Sequence, residues 1–285
     1  MKMLSSEHSK KTKPIQLIAM DMDGTLLNSR KEIDPKTKDQ LIRIQEQGIQ
    51  IALASGRPYK GLERFAKELR MDEFGGYLIS NNGGRVQKAD DLSVIYEHPL
   101  TLEEGQRVLN HLKNFNVKPM IESGDYMLVN NVFDNEVTAQ GRTFNVIDYE
   151  AHSNGFLLLE SRDLAKEIKQ GPVKILTAGD EDYLKAHYKE MAAPFEGELD
   201  SMFTAPFYYE FTAKDTNKGS ALDALPFEKE EIAAIGDAQN DLPMFQYAGT
   251  RLAMGNAVEE VKQQADEILA DNDHAGIGAW IEANL

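Results

Sequence analysis

The 285-residue chain carries 47 acidic and 31 basic side chains for a formal net charge of −16, is 41% hydrophobic and contains no cysteine. That charge repels polyanions and argues against nucleic acid and anionic membrane surfaces as partners, while the lack of thiols excludes disulfides, a cysteine nucleophile and thiolate metal sites. A metal must be held by oxygen or histidine, and a phosphorylated ligand needs a cation to offset the field.

Residues 1–14 (MKMLSSEHSKKTKP) are polar and basic, without the apolar middle of a secretion signal, and read as a mobile tail. No apolar run reaches the length of a membrane helix, so a cytoplasmic protein with no membrane partner is expected, and no obligate protein partner is legible. IQLIAM (15–20) predicts a buried strand, a helix follows over 36–47 between Pro35 and Gly48, and IQIALAS (49–55) predicts a second strand. Leu62, Phe65, Ala66 and Leu69 share one helical face, and YLIS (77–80) predicts a third strand running into Asn81, Asn82, Gly83 and Gly84. From 85 to 211 the texture changes to short strands (VKPMIES, YMLVN, VKILTAG, MFTAPFYYEFT) with two or three helices, one of them carrying Leu184, His187, Tyr188 and Met191 on a single face. The alternation then returns: helices over 218–225, 241–248, 258–265 and 276–283 interleave with strands over 232–236, 251–254 and 267–269. The expected fold class is α/β, a doubly wound, mostly parallel Rossmann-like sheet core over 15–84 and 212–285 interrupted by an inserted α+β domain over 85–211.

The stretch IAMDMDGTLL places Asp21 and Asp23 at the end of the first strand, and residues two apart on a strand point the same way. Ligands of open α/β sheets sit at that edge. Two carboxylates ~4 Å apart repel by ~4 kcal/mol at an effective dielectric near 20, so one is protonated or a cation lies between them. Such asymmetry suits one ionised carboxylate as nucleophile and one protonated carboxylate as acid, although Asp-x-Asp-Gly is also a plain turn. A calcium loop is rejected, because Leu26 stands where that loop needs glycine and a strand precedes it.

Three later segments bear on the choice. Ser55 ends the second strand, where its hydroxyl and the following amides can hold a phosphate oxygen; a Ser-Gly turn alone is unremarkable. Lys218 opens a helix, a position unfavourable for a cation unless an anion sits there. IGDAQNDLPM supplies Asp237, Asn240 and Asp241, oxygen donors on an acidic turn that suit Mg²⁺, or else an Asp N-cap with a solvated neighbour. The six histidines have no metal-ligand spacing among themselves and are expected at surface or satisfied core positions.

Together DMDGTLL (21–27), ASGRP (54–58), SNNGG (80–84), NKGSAL (217–222), GDAQNDLPM (236–244) and AMGNA (253–257) resemble the haloacid dehalogenase-like superfamily, and within it the Cof-type sugar-phosphatase-like group. The resemblance implies that the insert is a cap setting specificity, that Asp21 is the nucleophile taking the phosphoryl group, and that Asp23 is the acid and later the base. It implies phosphoryl-oxygen binding by Ser55 and Lys218. For Mg²⁺ it implies Asp21, the Asp23 carbonyl and Asp237 as ligands, with Asp241 as a further ligand or in support behind them. Asn240 reaches the phosphate, and Gly56, Arg57 and Asn82 line the site. The expected function is a Mg²⁺-dependent phosphatase of a small phosphorylated metabolite. A phosphomutase of the same superfamily and a catalytically silent phosphometabolite sensor are the alternatives.

Overall fold

The computed structural model describes residues 13–285, so most of the expected tail lies outside the described residues. In chain order the first part contains β1 (Leu17–Asp21), α1 (Pro35–Glu46), β2 (Gln50–Ala54), α2 (Tyr59–Glu68), α3 (Met71–Phe74), β3 (Tyr77–Ser80), β4 (Arg85–Lys88) and β5 (Val94–Glu97). The middle part runs through α4 (Leu102–Leu112), β6 (Lys118–Ser123), β7 (Tyr126–Val129), β8 (Glu136–Ala139), β9 (Arg142–Asn145), α5 (Val146–Asn154), β10 (Leu157–Glu160), α6 (Leu164–Glu167), β11 (Lys174–Ala178), α7 (Glu181–Ala192), β12 (Leu199–Ala205) and β13 (Tyr208–Ala213). The last part adds α8 (Lys218–Asp223), β14 (Ile232–Gly236), α9 (Leu242–Gln246), β15 (Thr250–Ala253), α10 (Glu259–Gln264), β16 (Glu267–Ile268) and α11 (Gly276–Asn284).

One eight-stranded sheet has the order β16-β15-β14-β1-β2-β3-β4-β5. It is parallel from β16 to β3, and β1 is buried along its whole length, as expected of a strand covered by helices on both faces. The chain runs outward from β1 through β2 and β3, then returns on β1's other side through β14, β15 and β16. The reversal of order therefore falls between β1 and β14, and a ligand crevice is expected at their carboxyl ends. Local signals set the elements: the Asp34 side chain caps α1 by accepting from the Lys36 and Thr37 amides at 2.9 and 3.2 Å, and Pro35 occupies the first turn.

The domain boundaries differ from expectation at both ends. Asn81, Asn82 and Gly83 all have positive φ (52°, 54° and 96°), and this left-handed turn sends β4 back antiparallel to β3, with Arg85 opposite Ser80. Residues 85–97 thus extend the large sheet, whereas SNNGG alone resembles a domain exit. At the other end β13 continues to Ala213 within the second sheet, where Thr212 faces Lys174. That six-stranded sheet, order β10-β7-β6-β11-β13-β12, is antiparallel except for the β10–β7 pair. MFTAPFYYEFT is a hairpin rather than one strand, because Pro206 has no amide to give a ladder and the chain turns there. Four helices, not two or three, lie in the middle part.

Candidate active site

Asp21 closes β1 directly opposite Ala54 of β2, which places Ser55 at the same sheet edge; Asp237 follows β14 on the other side. Strand β1 ends at Asp21, so Asp23 is not its strand-mate but sits in a turn bridged to Leu27. Gly24 in that turn has φ +92°, and a Cβ there would lie 2.5 Å from Asp237 Oδ2. Only glycine allows this approach. Thr25 Oγ1 then donates to Asp237 Oδ1 at 2.7 Å.

Asn217 caps α8, accepting from the Ser220 amide at 2.9 Å, and so presents Lys218 at the first helical position. Lys218 is fully buried. Its Nζ donates to Asp21 Oδ1 and, at 2.6 Å, to Asp241 Oδ1. Asp241 Oδ2 accepts from the amides of Asp237 and Ala238 at 2.9 and 3.0 Å, so that both its oxygens are engaged and it serves as a brace. Carboxylate oxygens of Asp21, Asp237 and Asp241 lie within 4.8 Å of one another. Three carboxylates against one ammonium leave this fully ionised set at −2, and its donors are all oxygen, which is the chemistry that fits a hard divalent cation.

Burial drives the protonation of the cluster. It pushes the Asp21 carboxyl up to about 7, against the attraction of Lys218 and with Asp241 adding to the rise. Burial also raises Asp237, with the Thr25 hydrogen bond opposing. Lys218 is raised although burial alone would lower it, because Asp21 and Asp241 both favour its charged form.

Asp23 has cations of its own. Arg57 Nε and Nη2 donate to its two oxygens at 2.8 Å each, and Lys31 Nζ donates to Oδ1 at 2.8 Å. Burial works to raise its carboxyl, but these bonds override and hold it below the usual range. Of the two, Asp23 is the one whose surroundings favour the ionised form, while the burial of Asp21 in the metal-free protein favours the protonated form. Like-charge repulsion is relieved by two separate sets of cations rather than by a shared proton.

The remaining expected residues meet in a third group. Ser55 Oγ accepts the Arg57 amide at 3.2 Å, so that amide is turned inward to the loop. Asn82 Oδ1 accepts from Asn240 Nδ2 at 3.1 Å, and Asn82 Nδ2 donates to Glu210 Oε1 at 3.2 Å. Gly56 packs on Asn82, and its carbonyl accepts from Lys174 Nζ at 2.9 Å. Lys174 Nζ also lies 3.2 Å from Glu210 Oε2, within ion-pair range though not aligned as a hydrogen bond. Lys174 and Glu210, from β11 and β13, thus tie the second sheet to the loops of the first. Sequence reasoning missed both, along with Thr25 and Lys31. A charged residue inside each of the apolar strands VKIL and YYEF was the available signal.

A family model described as haloacid dehalogenase-like hydrolase matches residues 18–281, and the chain belongs to that family. It is similar to a solved haloacid dehalogenase-like hydrolase from Bacteroides thetaiotaomicron at 34% identity and a TM-score of 0.86, covering 95% of this chain and 100% of that one. Among curated relatives, the 5-amino-6-(5-phospho-D-ribitylamino)uracil phosphatase YcsE of Bacillus subtilis is 28% identical over 94% of this chain and 94% of its own length. The pyridoxal phosphate phosphatase YbhA of Escherichia coli is 25% identical over 95% of this chain and 98% of its own. No helix among the described residues is long and apolar enough to cross a membrane.

Proposed function

We propose that this hydrolase is a Mg²⁺-dependent phosphatase of small phosphorylated metabolites that works through a phosphorylated Asp21. The observation that carries the reading is Lys218, a fully buried cation gripping Asp21 and Asp241 beside Asp237 at the switch point of the sheet. The names of YcsE and YbhA, both phosphatases of small phosphorylated compounds, support the reaction class.

In this scheme Lys218 fixes Oδ1 of Asp21, while Oδ2, which accepts no hydrogen bond from the described residues, is the oxygen that attacks phosphorus. The new Asp21 O–P bond forms as the ester P–O bond breaks, and the leaving oxygen takes a proton from Asp23. Asp23 then removes a proton from water, whose oxygen attacks phosphorus and releases inorganic phosphate and free Asp21. Before it can carry a proton, Asp23 must leave Arg57 and Lys31; the arriving phosphoryl group, with more negative charge than one carboxylate, draws those cations to itself. Ser55, Lys218 and Asn240 bind the phosphoryl oxygens, with Gly56, Arg57 and Asn82 completing the wall. When bound by Asp21, Asp237 and the Asp23 carbonyl, braced by Asp241, the divalent ion supplies electrostatic stabilisation of charge on the phosphoryl oxygens. The second sheet covers the leaving group and excludes bulk water. Hydrolysis of an aryl phosphate with and without Mg²⁺, by wild type and Asp21→Asn, tests this: activity that needs both the ion and Asp21 is expected, and equal turnover by the variant contradicts it.

A further inference from the structure

Between the two sheets lies a narrow cleft. Pro58 and Asn81 border it on the side of the loops that carry Arg57 and Asn82, and Met127 and Phe156 form an apolar wall. Three charged side chains line it: Glu122, Lys174 and Glu150. Two already have ion-pair partners, Glu122 in Arg85, which it shares with Glu97, and Lys174 in Glu210.

Glu150 has no such partner. It stands on α5, whose contact with α2 presses Asn154 against Gly61. Its Oε2 accepts from the Tyr208 hydroxyl and its Oε1 from Asn154 Nδ2, each at 2.9 Å. Both donors are neutral, so they aim the carboxylate without cancelling its charge, and no cation forms an ion pair with it among the described residues. Burial holds this carboxyl above the usual range, with Lys174 and Tyr208 partly opposing. Glu150 is only partly buried, and its nearest cations, Lys174 and Arg57, act on it from beyond ion-pair distance, so the carboxylate gains from a cation that a ligand brings within hydrogen-bond range.

Resting on the phosphatase reading, we propose that Glu150 selects the alcohol half of the substrate: a compact phosphomonoester bearing a protonated amine, of the amino-sugar phosphate class, whose ammonium pairs with Glu150 while its C–H face lies on Met127 and Phe156. The same carboxylate turns away alcohols that carry a second anion.

The test compares kcat/KM of the full chain with Mg²⁺ on glucosamine 6-phosphate, glucose 6-phosphate and 6-phosphogluconate, for wild type, E150Q and E150D. Wild type is expected to rank amine above neutral above acid, with the amine preferred at least about tenfold, the scale of one charge-assisted hydrogen bond. E150Q is expected to bring the amine-to-neutral ratio within about threefold of unity while E150D retains the preference, since the carboxylate rather than its length is what the ligand reads. Each ratio is taken on one preparation, so loss of folded protein cancels. A wild type without the preference, or an E150Q ratio unchanged from wild type, overturns the assignment. If no ester releases phosphate, the phosphatase reading fails by itself, and calorimetric titration with the same three compounds decides the pocket: a ranking abolished by E150Q sustains Glu150, and equal affinities overturn it.

Discussion

Arg57 closes on Asp23 with two bonds of 2.8 Å, and Lys31 adds a third, so the carboxylate assigned to proton transfer is held ionised until something displaces its cations. Arg57→Leu removes two of the three bonds, and the Asp23 carboxyl is expected to rise toward the ordinary range. The sign follows: if Asp23 is the general acid, the alkaline limb of the kcat/KM profile, which reports the free enzyme, moves to higher pH in the variant, while KM rises because a phosphate-facing cation is gone. A pH–rate series on one aryl phosphate measures both, and a limb that stays in place contradicts the role of Arg57.

Asp21 sets a stability window in the metal-free protein. Its carboxyl lies at about 7 in the folded state against an ordinary value of 3.8, so between those values the folded chain binds more protons than the unfolded one, and stability falls as pH rises. Relative to Asp21→Asn, wild type is expected to lose stability from about pH 4 to about pH 7, by an amount on the order of a few kcal/mol. Urea unfolding in chelator at several pH values measures the difference. A gap that grows with pH in favour of wild type has the wrong sign for this environment.

Lys218 is the counter-charge for two buried carboxylates. Lys218→Met leaves them facing each other without it, which costs about 3–5 kcal/mol in comparable buried pairs. Chemical denaturation in chelator reads this directly, and a variant as stable as wild type shows that the grip contributes nothing.

Gly83 joins the two chemistries. With φ +96°, a Cβ there would come within 2.1 Å of the Asn217 carbonyl, next to Lys218. Gly83→Ala therefore has both a strained backbone and a main-chain collision, expected to cost roughly 1–3 kcal/mol or more and to lower kcat by displacing Lys218. Thermal unfolding together with aryl phosphate turnover checks the pair of effects.

Most of the large sheet was readable because its strands are continuous apolar runs with a helix between each pair, and a register such as Asp21 opposite Ala54 follows from parallel pairing. The turn at 81–83 was not, since Asn and Gly mark a left-handed bend without saying where the chain goes next, and β4 and β5 were given to the wrong sheet. The meeting of Asp21, Lys218, Asp237 and Asp241 was implied only by the family resemblance that the motifs carry together. The pairing of Asp23 with Arg57 and Lys31 was hidden, because side-chain partners 34 and 8 residues away leave no periodic trace. Lys174 and Glu210 were legible only as misplaced charges; their purpose required the loops they hold.

Phosphorylation of Asp21 is the claim on which the account turns. Acid-quenching the enzyme during turnover of a phosphomonoester with Mg²⁺, then mapping its peptides by mass spectrometry, tests it most directly. A phosphoryl mass increment on the peptide holding Asp21, absent from Asp21→Asn and transient in time, is predicted; phosphate release at wild-type rate with no such species, or an adduct on another residue, contradicts it.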